Sequence, residues 1–249
     1  MSSQAITFAE VEPQDEPELA EDEAHVWRFR IQKPELVPES LMATLDVGDR
    51  NHAETFGDAA SKRVFMTARG ATRFILSLYT EVAPRMLRFG RGEHGKPFLK
   101  MDGAPQFNVA HTFEWGVIAV TRSVQIGVDL ERIRPMPDLS LVARDHFSRQ
   151  EYAHLFSLPE DVRTEAFHAC WTRKEAYIKA LGGGVAIPLK SFDVSLEPGA
   201  PAELLAIEAS SASARDWTLC AFEPAPDHCG AVAIARGGMR IRGFHFPPG

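Results

Sequence analysis

The strongest structural signal in the sequence is a helical pattern from Glu165 to Leu181 that ends at Gly182-Gly183-Gly184. The run contains no proline or glycine, and a glycine triplet is a typical C-terminal break. Segments typical of strands lie on both sides of it, at 26–31, 105–110, 115–122, 125–133, 190–195, 203–208, 217–223 and 230–235. Because these strands do not alternate regularly with helices, the sequence predicts an α+β fold with antiparallel hairpins.

A second helix is predicted at 60–80, where apolar residues recur at helical spacing. Arg63, Arg69 and Arg73 are interspersed along it. The simplest interpretation of these arginines is a solvated helix face, and the alternative is a set of contacts to an anionic ligand.

Charge is distributed unevenly along the 249 residues. Residues 1–24 contain eight acidic residues and no lysine or arginine, so the rest has 26 acidic against 27 basic residues, although the whole chain carries a net charge of −7. This acidic leader has few large apolar side chains, which predicts that it is disordered. No basic tract interleaved with aromatic residues occurs, so we expect no nucleic-acid partner.

The cysteines and the apolar runs indicate the compartment. Cys170, Cys220 and Cys229 are odd in number and scattered, which suits neither a disulfide framework nor a zinc site. No apolar run approaches the roughly 18 residues of a membrane span, and the acidic N-terminus is unlike a signal peptide. We therefore expect a cytoplasmic protein without a membrane partner.

The most informative motif is Gly127-Val128-Asp129-Leu130-Glu131, within the strand predicted at 125–133. Alternate residues of a strand share a face, so Asp129 and Glu131 point the same way. Two carboxylates about 7 Å apart along a strand can converge on one hard cation such as Mg²⁺. Gly127 leaves room for close backbone approach. The simpler alternative is that the two acids form a polar outer face.

Glu175 and Lys179 lie four residues apart on the long helix and therefore share a face. The simplest interpretation is an ordinary ion pair that stabilises the helix. The alternative is that Glu175 supplies a third carboxylate to the cation, while Lys179 neutralises phosphate oxygens beside it. Mg²⁺ is typically held by one or two carboxylates together with substrate phosphates, so the residue types are compatible with this second use.

Two further motifs precede the acidic strand. Phe107-Asn108-Val109-Ala110-His111 ends a strand at a histidine, and Gly95-Lys96-Pro97 lies in a turn-rich stretch at 90–97. The simplest interpretation of the first motif is a turn histidine without a function, and that of the second is an ordinary turn.

Taken in order, the motifs resemble those of Sfp-type 4′-phosphopantetheinyl transferases. The similar segments are E-H-G-K-P, F-N-V-A-H, G-V-D-L-E, F-S-R-Q-E-Y and W-T-R-K-E-A-Y-I-K-A, which extend over roughly residues 60–195. Each segment is weak by itself, whereas the shared order and spacing are specific. The fourth segment also carries a capping box at Ser148 and Glu151, which predicts a helix start.

The resemblance implies two similar α+β halves in one chain, related by a pseudo-twofold axis, with the active site in the cleft between them. We expect a leader at 1–24, an N-terminal half at 25–123 and a C-terminal half at 124–249. The implied reaction transfers 4′-phosphopantetheine from coenzyme A to a serine of an apo carrier protein and releases adenosine 3′,5′-bisphosphate.

The resemblance also implies roles for individual residues. Asp129, Glu131 and Glu175 match the positions that bind Mg²⁺. Glu175 or a metal-bound water would accept the serine proton, and Lys179 would contact the phosphates of coenzyme A and assist catalysis.

The remaining matched residues would bind coenzyme A. His111 matches a histidine that contacts its phosphates, and Ala110, often serine in the family, supplies backbone beside it. The turn of Gly95, Lys96 and Pro97 would line the adenosine end. Arg63 is the candidate contact to the 3′-phosphate.

The acceptor class is not specified by the sequence, so acyl, peptidyl and polyketide carrier proteins of primary or secondary metabolism are all expected partners. The segment 132–147, with arginines, prolines and apolar residues, is the candidate docking surface, and we expect a monomer. Two alternatives are a metal-dependent phosphohydrolase and a non-catalytic module that binds coenzyme A or a carrier.

Overall fold

The computed structural model describes residues 6–10, 17–31, 37–112, 114–207 and 213–246. The strands are β1 Phe8–Glu10, β2 Glu23–Arg30, β3 Phe89–Arg91, β4 Pro97–Leu99, β5 Gln106–Thr112, β6 Trp115–Thr121, β7 Ile126–Arg132, β8 Phe192–Val194, β9 Leu204–Ile207, β10 Thr218–Phe222, β11 His228–Ile234 and β12 Arg240–Phe246. The helices are α1 Glu39–Met42, α2 Val47–Ala53, α3 Ala59–Ser77, α4 Leu139–His146, α5 Arg149–Ser157 and α6 Glu160–Leu181. The combination of helices with mainly antiparallel sheets confirms the α+β prediction.

The same topology occurs twice in the chain. In the first half, β2 leads through α1–α3 to the hairpins β3–β4 and β5–β6, and the sheet has the order β2-β6-β5. In the second half, β7 leads through α4–α6 to β8–β9 and β10–β11, and the order is β7-β11-β10. In each half the first strand pairs antiparallel with the last one. This repeat agrees with the prediction of two similar α+β halves.

The two ends of the chain complete the first sheet, a feature absent from the predictions. β12 lies between β1 and β2 and runs parallel to both. Residues 240–246, predicted to belong to the C-terminal half, are therefore part of the N-terminal sheet. Without β12 the edge of β2 would lack a partner, so this long-range pairing satisfies backbone groups that local patterns do not report.

The predicted disorder of the leader is wrong for the residues of it that the structure describes. Phe8–Glu10 forms β1, Leu19 is buried, and β2 begins at Glu23. The ring of Phe8 packs edge-on against Phe222 at 5.9 Å, which explains how a short strand is held despite its acidic surroundings. Residues 1–5 and 11–16 of the leader lie outside the described residues.

Helix α6 begins at Glu160, five residues before the predicted start, and follows Pro159. It ends as predicted, because Gly182 adopts a left-handed backbone with φ of 72°, and its N–H donates to the carbonyl of Ile178. No helix among the described residues is long and apolar enough to cross a membrane.

A buried ion pair holds the loop that follows α6. The predicted capping box is present, and Glu151 also accepts hydrogen bonds from the N–H of Val194 at 2.8 Å and from Lys174 Nζ at 2.8 Å. Lys174, fully buried, also donates to the carbonyls of Leu189 and Phe192, at 2.8 and 2.6 Å. Since a buried charge is tolerated only when its donors are satisfied, this network fixes the loop at 182–191 against α5 and α6.

Candidate active site

Helix α6 packs directly on the backbone of β7 because Gly127 has no side chain. A Cβ atom built on Gly127 would lie 2.1 Å from the carbonyl oxygen of Ala176 and 2.2 Å from the amide nitrogen of Ala180. Both atoms belong to the main chain, so a change of side-chain rotamer cannot make space for the added carbon. The predicted close approach of backbone at Gly127 is therefore confirmed.

This approach brings the acidic face of β7 to the part of α6 that carries Glu175. The pKa of Asp129, Glu131 and Glu175 is raised in each case, first because burial removes water from the carboxylate. The negative charge of Asp129 raises the pKa of Glu131 and Glu175 further. The negative charge of Glu175 also raises the pKa of Glu131. The three carboxylates thus form one electrostatic cluster.

Lys179 is the cation of this cluster. Its Nζ lies 2.5 Å from Oδ1 of Asp129, which is 5% exposed. The other oxygen, Oδ2, is buried and has no hydrogen-bond partner among the described residues. The positive charge of Lys179 also lowers the pKa of His111, after the larger effect of desolvation of the ring. The positive charge of Lys179 therefore influences both the carboxylates and His111, the histidine predicted to contact phosphate.

The chemistry of this cluster suits a hard divalent cation, which prefers carboxylate oxygens. The partnerless Oδ2 of Asp129 is the kind of buried oxygen that an ion would satisfy. Within the described ranges, however, no group of three His, Cys, Asp or Glu side chains is arranged to hold a metal. The donor types therefore fit Mg²⁺, whereas a preformed three-ligand geometry is not present among the described residues.

A cavity of about 630 Å³ lies between the two halves beside the cluster. It is lined by His94, Gly95, Lys96 and Asn108 from the first half and by Asp145, His146, Trp171, Glu175, Ile178, Lys179 and parts of the loop 182–190 from the second. We call it the interhalf cavity. Glu175 and Lys179 give its wall charged groups, while Trp171 and Ile178 add apolar surface, so the cavity suits a ligand with both charged and apolar parts.

Lys96 lies at the interhalf cavity, but its ammonium group is used within the protein. Nζ donates to Gln125 Oε1 at 3.1 Å, to the carbonyl of Ile126 at 2.9 Å and to the carbonyl of Ala180 at 3.0 Å. Desolvation lowers the pKa of Lys96 to about 8. The turn that contains Gly95, with φ of 86°, is thereby tied to the start of β7 and to the end of α6.

Strand β5 separates the interhalf cavity from a second cavity of about 600 Å³, which we call the helix α3 cavity. Phe107, Val109 and His111 line the helix α3 cavity, as alternate residues of one strand do, and Pro97 lies at its edge. Ala110 points to the other face, into the apolar core between the sheets. Its side chain faces neither cavity, which agrees with the expectation that only its backbone is available.

The basic residues of the helix α3 cavity are Arg69 and Arg91, whereas Arg63 lines neither cavity. The positive charge of Arg63 instead helps to lower the pKa of Asp58, at the start of α3. Six residues of helix correspond to a rotation of about 240°, so Arg63 and Arg69 point in different directions. The angular positions of the two arginines around the helix are readable from the sequence. Which of them faces the cavity depends on the orientation of α3.

Asn108, His146 and Trp171 are among the residues of the interhalf cavity to which the sequence analysis gave no ligand-binding role. Trp171 is half-buried and packs edge-on with His146 at 5.4 Å. The charge of His146 lowers the pKa of Glu175, so the ring lies near that carboxylate. His146 ends α4, and local patterns contain no signal that the end of α4 reaches α6.

The sequence is similar to known proteins along most of its length. A sequence profile of the 4′-phosphopantetheinyl transferase superfamily matches residues 125–233, which include β7 and α6. The 4′-phosphopantetheinyl transferase HetI of Nostoc sp. (strain PCC 7120) is 35% identical over 231 residues, which cover 92% of this chain and 94% of that protein.

Two further relatives match shorter stretches. A putative 4′-phosphopantetheinyl transferase of Synechocystis sp. (strain PCC 6803) is 35% identical over 64% of this chain and 65% of its own length. The 4′-phosphopantetheinyl transferase Sfp of Bacillus subtilis (strain 168) is 35% identical over 50% of this chain and 54% of its own length. Since the similarity to the Nostoc protein extends over nearly the whole of both chains, this chain belongs to the 4′-phosphopantetheinyl transferase family.

Proposed function

We propose that the protein transfers the 4′-phosphopantetheine group from coenzyme A to a serine of an apo carrier protein and releases adenosine 3′,5′-bisphosphate. The observation that carries this proposal is the cluster of Asp129, Glu131, Glu175 and Lys179, of which Glu175 and Lys179 line a cavity between the two halves. The names of the relatives support the same activity for this chain.

The reaction is a phosphoryl transfer at the β-phosphorus of coenzyme A, for which positioning and positive charge are the main sources of rate. Asp129, Glu131 and Glu175 would hold Mg²⁺, and the ion supplies positive charge to the diphosphate oxygens. Lys179 contributes its ammonium group to the same oxygens. Glu175 or a metal-bound water would accept the proton of the serine hydroxyl.

Coenzyme A is proposed to extend across the turn at 95–97. Gly95 and Lys96 line the interhalf cavity, and Pro97 and His111 line the helix α3 cavity. The diphosphate would lie in the former, near Lys179. Arg69 and Arg91 are better placed than Arg63 to contact the 3′-phosphate, since both line the helix α3 cavity and arginine pairs with phosphate through two parallel hydrogen bonds.

The carrier is proposed to dock on the segment 132–147, at the side of the interhalf cavity formed by Asp145 and His146. Leu141 is 54% exposed, and Arg132, Arg134 and Arg144 are exposed as well. This mixture suits an acidic carrier surface with an apolar contact. Acyl, peptidyl and polyketide carriers are the proposed acceptors, and we propose a cytoplasmic monomer that uses Mg²⁺.

A mass measurement tests the proposed activity. An apo carrier incubated with the protein, coenzyme A and Mg²⁺ should gain about 340 Da, the mass of the phosphopantetheine arm. Removal of Mg²⁺ with a chelator should abolish the gain, and a carrier with its acceptor serine replaced by alanine is the control. Cleavage of coenzyme A without any gain in carrier mass would indicate a phosphohydrolase instead.

Replacement of Lys179 by alanine should weaken coenzyme A binding roughly 10- to 100-fold, because a charge-assisted hydrogen bond contributes about 1.5–3 kcal/mol. Isothermal titration calorimetry with Mg²⁺ present measures the dissociation constant. Lys62→Ala is the control, since Lys62 forms a surface pair with Glu54 and lines neither cavity. An unchanged dissociation constant for Lys179→Ala would remove this residue from the phosphate site.

A further inference from the structure

Asn108 occupies the seam between the two sheets. β5 pairs with β6 and β7 pairs with β11, so these two strands meet without a hydrogen-bonded strand register between them. At this seam the side-chain oxygen Oδ1 of Asn108 accepts a hydrogen bond of 2.9 Å from the N–H of Val128. The side chain of Asn108 thus replaces the missing strand partner for a buried backbone donor.

The bond fixes which way the amide points. An N–H group needs an acceptor, so Oδ1 faces Val128 and the NH₂ group, Nδ2, faces the opposite side. Asn108 lines the interhalf cavity, although the residue is only 6% exposed. Nδ2 donates no hydrogen bond to a described residue. It is also not one of the buried side-chain atoms that lack a partner, so it is not fully buried. It is therefore a donor open to the interhalf cavity.

The position of this donor along the interhalf cavity indicates what it contacts. Val128 directly precedes Asp129, whose carboxylate is bonded to Lys179. Asn108 therefore lies next to the acidic cluster, at the end of the interhalf cavity where Glu175 and Lys179 form part of the wall. A neutral donor at this end adds a hydrogen bond to a phosphate oxygen without adding charge to the cluster.

We propose that Asn108 has two functions: Oδ1 holds the strand of Asp129 in place, and Nδ2 donates a hydrogen bond to a diphosphate oxygen of coenzyme A. This inference rests on the proposed function and adds a binding residue to it. The two functions belong to different atoms of one side chain, so they can be separated by substitution.

Asn108→Asp is the separating variant, because it keeps an oxygen for the N–H of Val128 and replaces the NH₂ group by an oxygen. The melting temperature should stay within a few degrees of the wild type, while the dissociation constant for coenzyme A rises about tenfold or more. Asn108→Ala removes both atoms and should lower the melting temperature as well as the affinity. Differential scanning calorimetry and isothermal titration calorimetry measure the two quantities.

The added negative charge of Asn108→Asp needs its own control. Asn108→Ala supplies this control, because alanine also removes Nδ2 but introduces no charge. The affinity for coenzyme A should therefore fall about tenfold or more in Asn108→Ala as well, whereas a loss confined to Asn108→Asp would result from repulsion.

An Asn108→Ala protein that binds coenzyme A as tightly as the wild type, or an Asn108→Asp protein that does so, would overturn the contact from Nδ2. A wild-type protein that fails to bind coenzyme A would overturn the proposed function instead. The two failures are therefore distinguished by the wild-type titration alone.

Discussion

Gly127→Ala should destabilise the protein by more than about 3 kcal/mol and abolish transfer. The added methyl group would lie 2.1 Å from the carbonyl oxygen of Ala176 and 2.2 Å from the amide nitrogen of Ala180. Overpacking of a core usually costs about 1–3 kcal/mol, and this collision involves backbone that cannot rotate away. Relief requires α6 to move from β7, which would separate Glu175 and Lys179 from Asp129.

Thermal unfolding and the carrier mass assay together test this prediction. For a chain of this size, a loss of about 3 kcal/mol corresponds to a fall in melting temperature of roughly 6–12 °C. Gly57→Ala is the matched control, because no atom lies within 4 Å of a Cβ built there. A Gly127→Ala protein with wild-type stability and activity would show that the contact between α6 and β7 is looser than the structure indicates.

Asp129→Asn should reduce transfer on the order of 10²–10³-fold, the loss typical when one preorganised electrostatic group is removed. The substitution keeps the shape of the side chain and removes the charge that pairs with Lys179. Stability should change little, because burial already disfavours the charged form of Asp129, as its raised pKa shows. Lys179, with 31% of its side chain exposed, can return to water.

The steady-state rate of transfer and the melting temperature separate this effect from unfolding. Asp102→Asn is the control, because Asp102 is exposed on a turn and belongs to neither the acidic cluster nor the two principal cavities. Full activity of Asp129→Asn at saturating Mg²⁺ would contradict a role for this carboxylate. A large fall in melting temperature would instead assign it a structural role.

Much of the acidic site could be predicted because its pattern is local. Strand alternation places Asp129 and Glu131 on one face, and helical spacing places Glu175 and Lys179 on another. The glycine stop of α6 and the capping box at Ser148 depend on neighbouring residues only, and both are present. Shared order with a known family then linked the two faces to one reaction.

The features that local patterns did not predict all depend on distant parts of the chain. The ammonium group of Lys96, which lines the interhalf cavity, donates three hydrogen bonds within the protein, and Arg63 lines neither cavity. Asn108 belongs to a recognised motif, but its contact with Val128 depends on the position of β5 beside β7. Each outcome reflects packing between elements more than ten residues apart, which periodicity does not encode.

The sequence by itself determined the chemistry of this protein, namely which carboxylates, lysine and histidine are available and which of them share a strand or a helix face. Short-range geometry suffices for that, since the periods of strand and helix are properties of the backbone. Only the tertiary structure decided the distances. Gly127 lets α6 approach β7, β12 returns to the first sheet, and β5 lies between the two cavities. These contacts join residues far apart in the chain, and their geometry follows from side-chain packing of the whole molecule.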